Sequence, residues 1–178
     1  MTDIPKKMSG VYLIGHGSLD KLIFREDIPV PTPNSDEVLI EVKGAGINNT
    51  DINTRIGWYS KKVNGGSDIE IDEDDKIDGS WSGVPLNFPR IQGGDICGNI
   101  VDVGNNVNFN RIGERVLVRS MQNLPNSNNP FEMQTIGSEI DGGFAEYCVT
   151  KANEAFPINC NWTDVELASI PISYSTAE

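Results

Sequence analysis

Residues 88–118 read FPRIQGGDICGNIVDVGNNVNFNRIGERVLV, and this stretch carries the clearest fold signal in the sequence. Apolar residues dominate 96–103 and return at 116–119, with a Gly-Asn-Asn turn between the two runs. Short apolar runs separated by Gly and Asn are typical of β-strands. The stretch therefore predicts two strands of one sheet.

Similar short runs lie on both sides of this pair, at 11–14, 21–28, 38–42, 144–149 and 155–158. Within 38–42 the apolar side chains Val38, Ile40 and Val42 alternate with Leu39 and Glu41, the pattern of a half-buried strand. Six or more short strands of this kind favour a closed or partly closed barrel. The predicted fold class is therefore mainly β with few helices.

Two short helices are predicted. Residues 49–56, NTDINTRI, can form one, with Asn49 or Thr50 available to cap it. Thr163 and Glu166 have the spacing of a capping box and predict a second, which Pro171 bends or ends. Residues 60–87 are polar and acidic, and we interpret them as a long surface insert; 122–129 is predicted to be a loop.

Charge and cysteine content limit the function classes. The net charge of −12 over 178 residues makes nucleic acid and anionic membranes poor partners, because an acidic surface repels phosphate. No apolar stretch reaches the length of a membrane span, and MTDIPKKMSG lacks the apolar core of a secretory signal. Three scattered cysteines indicate reduced thiols, so we expect a cytoplasmic protein.

Four segments together resemble one family, the medium-chain dehydrogenases/reductases. They are PTPNSDEVLIEVKGAGINNTDINTRIG (31–57), the stretch 88–118 quoted above, DGGFAEYCVT (141–150) and ELASIPISYSTAE (166–178). The resemblance implies that 1–160 form a GroES-like catalytic domain, a partly open β-barrel. It also implies that 161–178 begin the helix leading into a nucleotide-binding domain absent from this chain, so that the chain alone should be inactive.

The resemblance also bears on cofactors. GAGINN at Gly44 lacks the third glycine of a dinucleotide fingerprint and lies in no βαβ unit, so we do not interpret it as a nucleotide site. In zinc alcohol dehydrogenases a Cys, a His and a second Cys hold the catalytic metal; the matching positions here are Asn48, Gly94 and Ile172. Neither Gly nor Ile can ligate zinc. Residues 110–140, where the structural-zinc cysteines would lie, contain no Cys. No zinc is therefore expected.

Asn48-Asn49-Thr50-Asp51 instead resembles the quinone-oxidoreductase branch, which uses no metal. Hydrogen-bond donors must then polarise the substrate oxygen as hydride arrives. The catalytic residues implied are Asn48, as amide donor, Thr50, as proton relay, and Asp51, which we expect mainly to accept backbone N–H bonds. Tyr59 is a further candidate proton donor. Thr176 matches a position near the nicotinamide ring in relatives and is the predicted cofactor-binding residue.

Each of these residues also has a simpler interpretation. Asn is common in turns and Thr50 can be only a helix cap.

Other features of the sequence have structural interpretations. His16, the only histidine, follows the first predicted strand, away from the matched segments. The acidic run at 68–78 resembles a calcium loop but lacks its Gly and Glu, so a solvated loop is favoured. Cys97 and Asp95 are interpreted as a core residue and a backbone acceptor.

The function predicted from the resemblance is that of an NAD(P)-dependent oxidoreductase, zinc-independent, reducing a small carbonyl, enone or quinone substrate. NADPH is the more usual cofactor of that branch, and its members commonly form homodimers. Two alternatives stay open: a zinc-dependent alcohol dehydrogenase, and a non-enzymatic GroES-like module that binds a partner or small ligand.

Overall fold

The computed structural model describes residues 3–66, 78–124, 129 and 132–177. The predicted mainly β fold is confirmed. The described strands are Lys7–Leu13 (β1), Leu22–Pro29 (β2), Glu37–Gly46 (β3), Arg90–Ile91 (β4), Asp95–Val103 (β5), Arg115–Val118 (β6), Met121–Asn123 (β7), Met133–Thr135 (β8), Tyr147–Lys151 (β9) and Ala155–Pro157 (β10). The α-helices are Asn49–Ile56 (α1), Asp164–Leu167 (α2) and Pro171–Ala177 (α3). Most of the acidic run, 68–77, lies outside the described residues.

The central sheet has the strand order β10-β6-β5-β3-β9, all antiparallel. β5 and β6 are the two strands that the quoted stretch predicts, and they pair directly. The apolar residues of β3 and β5 interlock on one face of this curled sheet, where Val38, Ile40, Ile96 and Ile100 are almost completely buried. This core stabilises the strands that carry the site.

A smaller sheet of order β2-β1-β4 closes one side of the barrel. The two sheets meet where Gly10 pairs with Ala145 and the Val11 amide donates to the Phe144 carbonyl at 2.8 Å. A Cβ atom on Gly10 would lie 2.9 Å from that of Ala145, so the approach requires glycine. The result is a curled, partly open barrel, as predicted from the sequence.

Several local predictions need correction. Residues 122–129 are not simply a loop, because Met121–Asn123 forms strand β7 and pairs with β8. The hairpin was missed because its strands are only three residues long and mostly polar. The capping box at Thr163 is present, but α2 ends at Leu167, and Pro171 begins α3 at the position where its missing N–H costs nothing.

Helices α1 and α2 both pack at the end of β3. α1 follows directly from it, beside the start of β5, since Gly46 pairs with Asp95. A Cβ atom on Gly44 would lie 2.7 Å from the Asp164 carbonyl oxygen, so this glycine permits α2 to cross the strand. No described helix has the length and apolar character needed to cross a membrane.

Candidate active site

A cavity of about 550 Å³ opens between the first turn of α1, helix α3 and the β7–β8 hairpin. Asn48, Thr50, Tyr59 and Thr176, four residues predicted for the site, line it together. Asp51, the fifth, is not part of the lining. Residues distant in sequence thus meet in one place, and the volume is in the usual range for small-ligand pockets.

Asn48, and not Asn49 or Thr50, caps helix α1. Its Oδ1 atom accepts from the Thr50 backbone N–H at 3.2 Å, and Asp51 completes the capping box by accepting from the Asn48 N–H at 2.8 Å. The prediction was one residue late because the extended backbone of Asn48 could not be recognised from composition. With Oδ1 engaged, Nδ2 is left with two long contacts of 3.4 Å, to Asp95 Oδ2 and Ser173 Oγ.

Asp51 lies behind the cavity wall. Its second oxygen accepts from the Gly93 backbone N–H at 3.1 Å, and its own carbonyl accepts from Gln92 Nε2 at 2.8 Å. These bonds tie α1 to the segment before β5. Burial raises the pKa of the Asp51 carboxyl to about 6, although both backbone N–H bonds act in the opposite direction.

Two of the lining residues form a hydroxyl pair. Thr50 Oγ1 and Tyr59 Oη are 2.7 Å apart, within hydrogen-bond distance, and either can donate. The Tyr59 ring in turn meets the indole of Trp81 edge to face, with 4.9 Å between ring centroids. The pair offers a short path along which a proton can move.

Asp95 connects the site to helix α3. Its Oδ1 atom accepts from the Ile172 backbone N–H at 2.7 Å, near the start of the helix. Burial raises the pKa of this carboxyl, while the bonds from Ile172 and Asn48 lower it. Asp95 thus holds α3, with Thr176, against the cavity. Thr176 Oγ1 donates within the helix to the Ile172 carbonyl at 2.7 Å.

The three positions matched to zinc ligands do come together, but their chemistry does not suit the metal. A Cβ atom on Gly94 would lie 2.8 Å from Ile172 Cδ1, so an aliphatic chain fills the space before Gly94. The only polar atoms of the trio's side chains belong to the Asn48 amide, a poor zinc ligand. Among the described residues, no three His, Cys, Asp or Glu side chains are grouped to hold a metal.

Some lining residues were missed by sequence reasoning. Met121 and Met133 reach the cavity through the unrecognised hairpin, and Arg119 lies in the short connection between β6 and β7, so no sequence signal pointed to them. Asn53 was detectable, because it lies three residues after Thr50 on the predicted helix. It is 7% exposed, and its Oδ1 atom is buried without a hydrogen-bond partner in the described structure.

Two other residues lie away from the cavity. His16 Nδ1 is 2.9 Å from the Thr54 carbonyl oxygen and its ring meets Phe88 edge to face, so it packs beside the end of α1. Cys97 is fully buried beside Leu167, as expected for a core residue. A second cavity, of about 610 Å³, lies at the smaller sheet, and none of the predicted site residues line it.

Comparison with known proteins identifies the family to which the fold belongs. Residues 34–160 match the model of the alcohol dehydrogenase GroES-like domain. The structure is similar to that of an alcohol dehydrogenase candidate from Sinorhizobium meliloti 1021, with a TM-score of 0.81 and 39% identity, over 96% of this chain and 45% of that one.

Two curated relatives cover nearly the whole chain. The mitochondrial NAD(P)H oxidoreductase RTN4IP1 of Dictyostelium discoideum is 30% identical, over 96% of this chain and 39% of that protein. Human quinone oxidoreductase is 28% identical, over 97% and 40% respectively. The chain thus spans about two fifths of the length of these relatives.

Proposed function

This chain belongs to the family of alcohol dehydrogenase GroES-like domains, and we propose that it is the catalytic-domain part of a zinc-independent NAD(P)-dependent oxidoreductase. The substrate is a carbonyl, enone or quinone that receives hydride at carbon. The observation that carries the proposal is the packing of Ile172 against Gly94 beside the Asn48 amide. A hydrogen-bond donor therefore stands where zinc-dependent members need metal ligands.

Asn48 is proposed to polarise the substrate oxygen. Its Oδ1 atom is engaged as the helix cap, which orients the amide so that Nδ2 is the group left to donate. The Nδ2 contacts of 3.4 Å are longer than the usual 2.7–3.2 Å for an N–H donor, so they are readily exchanged for a substrate oxygen. A donor aimed at developing negative charge stabilises the transition state.

Thr50 and Tyr59 are proposed to deliver the proton. As negative charge grows on the substrate oxygen, one of the two hydroxyls donates its proton. The other replaces that proton along the 2.7 Å hydrogen bond and takes up a proton from solvent in turn. Asp51 is a positioning residue in this scheme, because its carboxylate holds the backbone of Asn48 and of Gly93.

The cavity is compatible with a nicotinamide ring on the side of α3. Its lining there consists of Ile172, Ser175 and Thr176, which are all uncharged and suit a neutral amide-bearing ring. NAD(P)H, when bound, supplies the hydride. NADPH is the cofactor we favour, from the resemblance to the quinone-oxidoreductase branch. Thr176 is the residue of this chain proposed to contact it.

The test uses the complete gene product that carries this chain. After treatment with a chelator, NADPH and NADH oxidation is followed with quinones and enones as acceptors. Undiminished turnover supports the proposal. Activity that disappears and returns with added zinc would favour the zinc-dependent alternative. Absence of turnover with every acceptor would favour the binding module.

A further inference from the structure

Trp81 forms one wall of the cavity, although it belongs to the polar insert. It lines the same cavity as Thr50 and Tyr59 and is 43% exposed, so much of its side chain is accessible to a ligand. The planes of the Trp81 and Tyr59 rings are nearly perpendicular, at 82°, so the two rings contact edge to face.

The backbone around Trp81 is fastened to the turn after β8. The Trp81 N–H donates to Ser138 Oγ at 3.1 Å, and both the N–H and the hydroxyl of Ser82 donate to Glu139 Oε1 at 2.9 Å. The second Glu139 oxygen accepts from the Thr135 N–H at 2.7 Å. These bonds fix the backbone at Trp81 and so position its indole at the cavity.

The walls of the same cavity favour an uncharged ligand. Met121 and Met133 supply apolar, polarizable thioethers. Arg119 is the only Lys, Arg, Asp or Glu among the described lining residues. Its charge is balanced by Glu154, since Arg119 Nε lies 3.3 Å from Glu154 Oε2, an ion pair without hydrogen-bond geometry. The Arg119 guanidinium also lies over the Phe156 ring. A substrate carboxylate or phosphate would therefore find no unbalanced cation here.

From these contacts we infer that Trp81 determines substrate specificity, by stacking on the ring of an uncharged acceptor whose carbonyl is conjugated to an aromatic system. The inference rests on the proposed function and narrows its substrate class. Aromatic pairs of this kind stabilise binding beyond the area that they bury. Small aliphatic enones fill too little of the cavity to use this wall.

The experiment compares two acceptors, 1,4-naphthoquinone and 2-cyclohexenone, with the complete gene product and NADPH. We expect Trp81→Ala to lower kcat/KM for the naphthoquinone by about tenfold, mainly through KM, and to change that for cyclohexenone less than threefold. Trp81→Phe should retain most of the activity. Trp162→Ala, an exposed tryptophan outside the cavity, is the matched control and should have no effect.

An equal loss for both acceptors, or no loss for either, would overturn the specificity role. A binding measurement separates this from failure of the proposed function. The indole N–H resonances of the three tryptophans in this chain are followed during titration of the complete gene product with 2-methyl-1,4-naphthoquinone. The resonance that disappears in Trp81→Phe is that of Trp81. A shift of the Trp81 resonance and not of the Trp162 resonance, without turnover, would contradict the proposed oxidoreductase function and support binding of the aromatic ring at Trp81. No shift at Trp81 would overturn the inference.

Discussion

The side chain of Ile172 occupies the space that a side chain at position 94 would need, since a Cβ atom on Gly94 would lie 2.8 Å from Ile172 Cδ1. The carbonyl oxygen of Ile136 closes the other side, at 3.0 Å from the same point. The two positions are therefore coupled by packing. The result is an apolar contact beside Asn48.

Gly94→Ala should destabilise the fold by about 1–3 kcal/mol, because the added methyl group overpacks a closed space. The double variant with Ile172→Ala should lose less unfolding free energy than the sum of the two single variants. Shortening Ile172 removes its clash with the new methyl group, although the contact with the Ile136 carbonyl remains. Urea unfolding measures both, with Gly15→Ala as control, where an added Cβ meets nothing within 4 Å. Strictly additive effects would mean that the two positions are not coupled.

Asn48 should separate stability from catalysis. Asn48→Ala removes both the cap and the amide donor, so we expect a loss of about 1 kcal/mol in unfolding free energy together with a large loss of kcat. Asn48→Ser keeps a capping oxygen and should retain near-normal stability while kcat still falls at least tenfold. Thermal unfolding measures the stability of both variants, and steady-state kinetics measure kcat. A normal kcat for Asn48→Ser would show that Asn48 acts only as a helix cap.

The hydroxyl pair of Thr50 and Tyr59 is tested by Thr50→Val and Tyr59→Phe, which remove one hydroxyl each and preserve shape. Proton transfer by a positioned group contributes about 10²–10⁴-fold, so either variant should lower kcat by at least tenfold. The double variant should be little worse than the slower single one, because the hydroxyls act in series. If each variant loses only about 1 kcal/mol of stability and no activity, the bond is structural.

Asp51 predicts a pH dependence of stability. Its pKa is about 6 in the folded protein, above the value of about 3.9 that is usual for an aspartate side chain, so the folded state retains a proton that the unfolded chain has released. The stabilisation from this proton is fully present below about pH 4 and is lost as pH rises to about 6, at up to roughly 3 kcal/mol.

Asp51→Asn cannot titrate, so the difference in unfolding free energy between wild type and variant should change across this range. Denaturant unfolding at several pH values between 4 and 7 measures it. Asp36→Asn, at a surface carboxylate, is the control variant and should follow the wild type. A constant difference between Asp51→Asn and wild type would show that Asp51 does not titrate there.

Local patterns determined most of the fold. Alternating apolar residues predicted β3, short apolar runs on either side of a Gly-Asn-Asn turn predicted β5 and β6, and helix α1 was predicted at its observed bounds. The capping box at Thr163 depends on side chains three residues apart, so the sequence alone was sufficient to find it. The family phrases and the non-ligating residues at 94 and 172 were equally visible, because they depend on residue type.

Only the tertiary structure decided which of these residues meet. Gly94 and Ile172 are far apart in sequence and contact because α2 and α3 return across β3 and β5. Trp81 reaches Tyr59 because Ser138 and Glu139 bind the backbone at the end of the insert. The short polar hairpin brings Met121 and Met133 to the same cavity. Sequence periodicity reports the face of an element that is buried, and closure of the barrel determines what that face lies against.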